Sequence, residues 1–276
     1  MARGRRSGAE MIARSLRVER CIGIDWSGAK TTSQQRRKIW VAEADVETKE
    51  IVRLESRMTR EEVVDALLER TDEPIVVGFD FAFSAPAWWL AELGCAAASG
   101  LWERSEREAA SWLEPTAPFW AKKGTMNRAL GGRPCRRQCE PDSAESVFKL
   151  VGPRQVGRGS IRGWPLLRKM QENGFSIWPF DAVHLPMVIE IFPRALMGLS
   201  VKKTDKESRC QYLAGPDFKM PRAIRDSAVS TDDAFDATVS AMALARHVSD
   251  LIDNRFTPRE IDRVEGKIWV PDPKMS

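Results

Sequence analysis

The sequence has no long apolar run and no secretion signal. No stretch approaches the roughly 18 consecutive apolar residues that a membrane-spanning helix needs, so the sequence predicts no association with a membrane. The Arg-rich N-terminus is not followed by an apolar signal core before Cys21, which favours a cytoplasmic protein over a secreted one. We expect residues 1–19 to be a disordered leader, with Met11 as an alternative start.

Histidines are few, and the cysteines form no paired set. The five cysteines are odd in number and scattered, which favours free thiols in a reducing compartment. Cys135 and Cys139 are the only close pair, and neither His184 nor His247 stands at zinc-finger spacing from them. The sequence therefore gives little reason to expect a zinc site.

Composition indicates a globular protein, and the charge is unevenly distributed along its chain. The chain has 276 residues, 43% hydrophobic and 30% charged, which suits one large domain. The net charge is mild, at +4, but the segment between Glu114 and Glu140 contains no acid. Such a segment is either a solvated loop or a surface that follows a phosphate backbone. Its basic residues are Lys122, Lys123, Arg128, Arg133, Arg136 and Arg137.

The order of predicted elements is typical of one fold class. Hydrophobic alternation predicts three meandering strands, then a helix with a capping box at Thr59 and Glu62, then a nearly continuous apolar strand. This order indicates a ribonuclease H-like α/β fold, a mixed sheet flanked by helices in one domain over 20–276. The strands are placed at 20–26, 37–44, 50–56, 75–81, 176–180 and 187–192, with an edge strand at 265–271. Helices are placed at 161–173, 204–213 and 230–253, and an insertion of short helices and loops at about 86–160.

Two aspartates end apolar strands. Asp25 follows Cys21-Ile-Gly-Ile24, and Asp80 follows Ile75-Val-Val-Gly-Phe79. Ligands and metals gather at the carboxyl ends of strands in open α/β sheets. Each aspartate is also explained as a residue that accepts hydrogen bonds from the backbone of the adjacent turn.

Glu190 lies inside the apolar segment Met187-Val-Ile-Glu190-Ile-Phe192. A buried carboxylate is costly unless a cation or several donors compensate it. A metal or catalytic role explains Glu190, and so does a salt bridge with an arginine such as Arg194.

Asp233 and Asp236 are three residues apart, so they project from one face of the predicted helix 230–253. Asp233 near the helix start is also explained by the favourable interaction of acids with a helix N-terminus. Asp236 lies too far inside the helix for that explanation. The neighbouring alanines allow the helix to pack closely on the sheet, which would bring Asp236 to the strand ends.

These segments resemble a known family. The chain is similar to the predicted nucleases of ribonuclease H-like fold catalogued as domain of unknown function 429, over about residues 20–270. The Asp233-x-x-Asp236 helix also resembles the terminal helix of Holliday-junction resolvases. The matching segments are Ile22-Gly-Ile-Asp25-Trp-Ser-Gly28, Val77-Gly-Phe-Asp80-Phe-Ala-Phe-Ser-Ala-Pro86, Val188-Ile-Glu190-Ile-Phe-Pro193-Arg194, Lys202-Lys203 with Arg209, and Asp232-Asp-Ala-Phe-Asp236-Ala.

The resemblance implies a metal-dependent nuclease. We expect two Mg²⁺ or Mn²⁺ ions, because hard carboxylate oxygens suit these ions and a pair of them catalyses phosphodiester hydrolysis. The expected ligands are Asp25, Asp80, Glu190 and Asp236, with Asp233 as an additional catalytic acid. The expected contacts with a nucleic-acid substrate are Lys122, Lys123, Arg136, Arg137, Lys203 and Arg209.

Two other functions fit the sequence. Ile24-Asp25-Trp-Ser-Gly28-Ala-Lys-Thr31 resembles the first phosphate turn of an ATP-binding phosphotransferase of the actin-like or sugar-kinase type. The segment after Gly78 lacks the small residues of a second phosphate loop, and no Gly-Gly adenosine motif occurs late in the chain. The other alternative is a non-catalytic nucleic-acid binding module, against which the full set of carboxylates argues.

Overall fold

The structure is a computed structural model that describes residues 17–122, 124–152, 155–197, 201–253 and 257–271. Its strands are β1 Arg20–Asp25, β2 Trp40–Asp45, β3 Glu50–Glu55, β4 Ile75–Phe79, β5 Ser176–Trp178, β6 Met187–Ile191 and β7 Ile268–Trp269. They form a seven-stranded mixed sheet in the order β3-β2-β1-β4-β6-β5, with β7 also pairing with β6. β2 is antiparallel to both β1 and β3, whereas β4, β6, β5 and β7 continue in parallel from β1.

Helices cover both faces of the sheet. They are α1 Thr32–Lys38, α2 Arg60–Leu68, α3 Ala87–Glu92, α4 Ala98–Trp112, α5 Met126–Leu130, α6 Val156–Glu172, α7 Pro193–Met197, α8 Lys206–Leu213, α9 Arg222–Ala228, α10 Asp232–Ile252 and α11 Asp262–Glu265. The apolar residues of α2, α4 and α6 pack on the face that carries Ile24 and Phe79, and α10 packs on the opposite face. None of the helices in the described ranges is both long and apolar enough to span a membrane.

Small residues bring α10 into direct contact with the sheet. A Cβ atom on Gly23 would lie 2.4 Å from the Ala241 nitrogen and 2.5 Å from the Ala237 oxygen, both in the helix backbone. A Cβ atom on Gly78 would lie 2.9 Å from a methyl of Leu244. Because Gly23 has no side chain, backbone atoms of the helix take its place. Residues at the start of α10 therefore lie near the carboxyl end of β1.

The predicted sheet and its helices agree with the structure in class and order, as a mixed α/β arrangement. The predicted capping box is present, since Thr59 accepts from the Glu62 amide and Glu62 accepts from the Thr59 amide. The second strand, placed at 37–44 from the sequence, begins at Trp40 because Thr32–Lys38 form the helix α1. Thr31 caps this helix by accepting from the Gln34 amide, a local contact that offsets its short length.

Residues 86–160 contain α3, α4, α5 and the beginning of α6. Their aromatic side chains form much of the core on this face. Trp89 makes edge contacts with Phe119 and Phe148 and is 3% exposed, and Trp120 is also buried. The Trp88 ring stacks under Arg133. The burial of Trp89 and Trp120 identifies them as core residues rather than surfaces on which bases could stack.

Candidate functional site

Asp25 and Asp80 lie side by side at the carboxyl edge of the sheet. Ile24 of β1 pairs with Phe79 of β4, so the two aspartates that follow are at the same level. The Asp80 amide donates to the Ile24 carbonyl at 3.4 Å. The Trp26 amide donates to Asp80 Oδ1 at 2.7 Å, which fixes one oxygen of that carboxylate.

Both aspartates face α10. Side chains alternate along a strand, so Asp25 shares a face with Gly23, and Asp80 shares one with Gly78. The two glycines are the positions where α10 approaches the sheet. Asp236 precedes the helical residues that cover Gly23, and it therefore lies further towards the strand ends, where the residue is 3% exposed.

The start of α10 supplies a further acid. The Thr231 side chain caps the helix by accepting from the Ala234 amide, and Asp232 and Asp233 occupy the first turn. Asp233 is half-buried and lies one helical turn from Asp236. Of the five acids expected at the site, the structure thus brings Asp25, Asp80, Asp233 and Asp236 to one edge of the sheet.

Burial and mutual repulsion raise the pKa of each carboxyl. Burial, and then the charges of Asp80 and Asp236, raise the pKa of Asp25 well above its ordinary value. Burial also raises the pKa of Asp80 well above its ordinary value, against the lowering effect of the Trp26 amide. Burial raises the pKa of Asp236 to about 6, although Lys203 opposes the shift. The negative charge of these carboxylates thus exceeds what the neighbouring cation and hydrogen-bond donors compensate.

Lys203 is the cation at this cluster. Its Nζ donates to Asp236 Oδ2, and its side chain is 33% exposed. Burial alone would lower the pKa of Lys203, but Asp236, and then Asp25 and Asp80, raise it. Buried Arg209 holds the backbone of this lysine: Nη1 donates to the Lys203 carbonyl at 2.6 Å, and Nε and Nη2 donate to the Val229 carbonyl.

One oxygen of the cluster has no partner among the described residues. Asp236 Oδ1 is buried and accepts no hydrogen bond from them. A buried carboxylate oxygen without a donor is costly, which favours a ligand that binds there. In the part of the chain that the structure describes, no group of three or more His, Cys, Asp or Glu side chains is arranged to hold a metal ion. The donor chemistry suits Mg²⁺ or Mn²⁺, while Lys203 occupies the second oxygen of Asp236.

Glu190 does not join this cluster. In β6 it pairs with Phe79, which itself pairs with Ile24, so Glu190 shares their face of the sheet, opposite Asp25 and Asp80. Its carboxylate accepts from Arg137, at 2.8 Å for Nη1 to Oε2. The expected ligand is thus part of a buried salt bridge. Its partner is Arg137 rather than Arg194, which donates to the Val201 carbonyl.

The contacts of Arg137 enclose its guanidinium in the protein interior. Its Nε donates to Glu140 at 2.8 Å and its Nη1 to the Glu265 carbonyl at 3.0 Å, and only 3% of the residue is exposed. The Phe83 amide donates to Glu190 at 3.0 Å. Burial alone would lower the pKa of Arg137, but the charge of Glu190 raises it above its ordinary value. A guanidinium enclosed in this way is not exposed to bind a substrate phosphate.

The remaining basic residues lie in different settings. Lys122 is exposed, and Lys123 lies outside the described residues. Arg136 pairs with exposed Asp142 at 3.0 Å. Arg209 is 5% exposed and serves the Lys203 backbone, so it acts on the acidic cluster indirectly. Six residues were expected to contact substrate phosphates. Among them, Lys203 lies in direct contact with the acidic cluster.

Arg60 was not expected from the sequence to have a role. Its Nη1 donates to the Ser27 and Ala29 carbonyls, in the loop that follows Asp25, and the residue is 5% exposed. One signal was present: Arg60 occupies the first position of α2, where the helix dipole favours acids. A cation at that position indicates that a contact from outside the helix fixes it.

Comparisons of the chain with protein-family models, with curated proteins and with solved structures found no match.

Proposed function

We propose that the protein is a metal-dependent nuclease that hydrolyses phosphodiester bonds at the cluster of Asp25, Asp80 and Asp236, on a ribonuclease H-like fold. The observation that carries the proposal is the convergence of these carboxylates from β1, the end of β4 and α10 at one edge of the sheet. The strand order β3-β2-β1-β4-β6, with the first three strands antiparallel, supports the assignment of the fold.

The cluster would hold Mg²⁺ or Mn²⁺ through Asp25, Asp80 and Asp236, with Asp233 beside them. The unpartnered Oδ1 of Asp236 is available as a ligand atom, and Asp80 retains Oδ2 because the Trp26 amide holds only Oδ1. Glu190 is omitted from the ligand set because it lies on the other face of the sheet. When bound, a divalent ion supplies an activated water and stabilises charge on the leaving oxygen.

Lys203 and Arg209 set the charge and geometry of this site before an ion binds. Lys203 balances part of the charge and must release Asp236 Oδ2 before that oxygen can serve as a ligand. After release, its ammonium remains near the carboxylates because Arg209 fixes the backbone of the lysine. There it is placed to bind a non-bridging oxygen of the substrate phosphate and to stabilise the charge that develops in the transition state.

The phosphotransferase alternative receives less support. Its main evidence is the turn containing Gly28, which an ATP phosphate would approach closely. A Cβ atom on Gly28 would lie 2.6 Å from the Gly159 nitrogen, so packing against α6 already accounts for the glycine. Phe81 and Phe83, which follow Asp80, are buried in the core and offer no phosphate loop.

The proposal is tested by a cleavage assay on labelled single- and double-stranded DNA and RNA. The wild-type protein would be compared with Asp25→Asn and Asp236→Asn in Mg²⁺, in Mn²⁺ and in EDTA, with Mn²⁺ calorimetry on the same proteins. We expect metal-dependent cleavage and saturable Mn²⁺ binding by the wild type, both lost in each variant. Cleavage that persists in both variants, or a wild type that neither binds Mn²⁺ nor cleaves any of the four substrates, would exclude this mechanism.

A further inference from the structure

The loop that follows Asp25 is held by guanidinium groups. The carbonyls of Ser27 and Ala29 accept from Arg60 Nη1 at 2.8 and 2.9 Å, and the Gly28 carbonyl between them accepts from Arg162 Nη1 at 2.9 Å. Three successive carbonyls thus point at positive charges. The arginines come from α2 and from α6, so two helices far apart in sequence place charge on the same short loop.

A third guanidinium belongs to the same group. Arg158 precedes Arg162 by one turn of α6, and its Nε donates to the Leu150 carbonyl at 2.8 Å. The backbone of Arg158 lies against Gly28, since a Cβ atom there would be 2.7 Å from the Arg158 carbonyl carbon. Arg60 and Arg162 thus bind the loop through their guanidiniums and Arg158 contacts it through its backbone and Cβ; the three are here called the arginine cluster.

The charge of the arginine cluster is not neutralised within the described residues. None of its members forms an ion pair there, whereas Arg168 on the same helix pairs with Glu172 at 2.7 Å. Burial, and then the charge of Arg158, lower the pKa of Arg162. Burial lowers the pKa of Arg60 to about 10, against the charge of Glu61 and with a further lowering by Arg162, and among the described residues its buried Nε has no hydrogen-bond partner. Mutually repelling cations remain close only if other contacts hold them, and such a group attracts an anion.

The loop that the arginine cluster holds begins directly after Asp25, although α2 and α6 pack on the face of the sheet opposite α10. Gly28 is three residues after Asp25, which limits their Cα separation to about 11 Å. Arg158 and Arg162 are half-buried, so part of each is accessible, and Lys30 is exposed on the same loop. The carboxylates repel a polyanion, and positive charge beside them offsets that repulsion.

We propose that Arg158 and Arg162, supported by the buried charge of Arg60, bind a backbone phosphate of the nucleic acid beside the bond that the acidic cluster hydrolyses. The polymeric nature of the ligand rests on the proposed nuclease function, while the phosphate chemistry rests on the arginine cluster itself. This assignment places phosphate binding at the loop after β1, instead of at the basic segment that contains enclosed Arg137.

The experiment measures binding of fluorescein-labelled single-stranded DNA and RNA by anisotropy, in EDTA, over a series of salt concentrations. The full chain would be compared with Arg158→Gln and with the double variant Arg158→Gln/Arg162→Gln. We expect the double variant to bind about tenfold more weakly, and the slope of log affinity against log salt to decrease by about 0.7 for each phosphate that the variant no longer binds. The single Arg158→Gln variant leaves the loop carbonyls bonded and should show about half of the change in slope.

Two controls separate binding from folding and from general charge. Arg168→Gln removes an already paired guanidinium from the same helix and should leave affinity and slope unchanged. The double variant Arg158→Lys/Arg162→Lys keeps the charge and should keep most of the slope. Equal losses in Arg168→Gln and Arg158→Gln, or unchanged binding in the double glutamine variant, would overturn the proposal. Displacement of the oligonucleotide by ATP at lower concentration than by unlabelled oligonucleotide would also overturn it, in favour of a nucleotide site.

The outcome is distinguishable from failure of the nuclease proposal. Arginine-dependent binding by a wild-type protein that cleaves no nucleic acid supports the phosphate site and rejects the nuclease. Metal-dependent cleavage with binding that does not depend on the arginine cluster supports the nuclease and rejects the phosphate site. Absence of any oligonucleotide binding rejects the phosphate site.

Discussion

The two faces of the sheet each bury carboxylates near the same edge, but they compensate them differently. On one face, Arg137 binds Glu190 through two nitrogens and also binds Glu140. On the other face, Asp25, Asp80 and Asp236 share Lys203, which bonds directly to Asp236 alone. The first arrangement provides fixed donors for its acids, whereas the second leaves part of the negative charge uncompensated and, within the described ranges, one buried oxygen without a hydrogen-bond partner.

This contrast shows how a structural acid can be distinguished from a candidate catalytic one. Both groups are buried, so burial alone does not separate them. The way in which the charge is compensated does separate them. A planar guanidinium with matched donors satisfies a carboxylate, whereas a single flexible ammonium among several acids leaves room for a metal ion. The incomplete compensation is also what raises the pKa of Asp25 and Asp80 after burial.

The strongest effect should be on cleavage and should come from Asp236→Asn. Loss of a ligand at the acidic cluster should lower the rate at least a thousandfold, about 4 kcal/mol of transition-state stabilisation. The thermal midpoint should stay the same or rise, because the amide removes a buried charge. Steady-state cleavage and a melting curve measure both, with exposed Asp226→Asn as the control. Activity above a tenth of the wild-type rate would remove Asp236 from the catalytic set.

On the opposite face the expected effect is on stability. Arg137→Ala leaves the buried carboxylates of Glu190 and Glu140 without their cation, which should lower the free energy of unfolding by about 3 kcal/mol. Arg136→Ala, at the neighbouring position, removes a partly exposed pair with Asp142 and should change it by less than about 1 kcal/mol. Urea denaturation compares the two. Equal effects would show that the salt bridge between Arg137 and Glu190 does not stabilise the fold.

The acidic cluster should also change how stability depends on pH. Asp236 has a pKa of about 6 in the folded protein, above its ordinary value of 3.8. The folded state therefore keeps this proton at pH values where the unfolded chain has lost it. Its contribution to stability is present in full below pH about 4 and is lost as pH rises through about 6, by about 3 kcal/mol.

Urea denaturation in EDTA at several pH values measures this decline, which should be flatter in Asp236→Asn. An increase in stability from pH about 4 to about 7, with the same profile in wild type and variant, would contradict the unbalanced charge of the acidic cluster.

The weakest of these effects concerns Lys203. If its ammonium occupies an oxygen that a metal ion needs, Lys203→Met should bind Mn²⁺ about tenfold more tightly, a gain of about 1.4 kcal/mol. Lys202→Met, at the exposed neighbouring position, is the matched control and should leave affinity unchanged. Calorimetry at fixed pH gives both values. Weaker binding by Lys203→Met would mean that the lysine assists the metal rather than competing with it.

Much of this arrangement follows from local sequence patterns. The apolar runs that end at Asp25 and Asp80 locate two strand ends, and the alanines around Asp236 predict a helix that packs closely on the sheet. Thr59 and Glu62 define the start of α2. These signals are readable because each depends on residues within one turn or one strand.

The unpredicted parts depend on contacts between distant residues. The face occupied by Glu190 depends on the pairing of Phe79 with Glu190, which alternation within one strand does not give. The partner of Glu190 lies 53 positions away in Arg137, in a segment whose charge resembles that of a solvated loop. The guanidiniums that hold the loop after Asp25 come from α2 and α6, so the loop sequence does not reveal them.

The contact between Gly23 and α10 has a consequence for how such a sequence can change. The helix backbone rests on the strand backbone, so the distance between the strand carboxylates and Asp236 does not depend on the size of any intervening side chain. Substitutions on the outer surface of α10 can therefore accumulate without altering the spacing of these carboxylates. A side chain at position 23 would move the whole helix, and we expect this position to tolerate variation only together with Ala237 and Ala241.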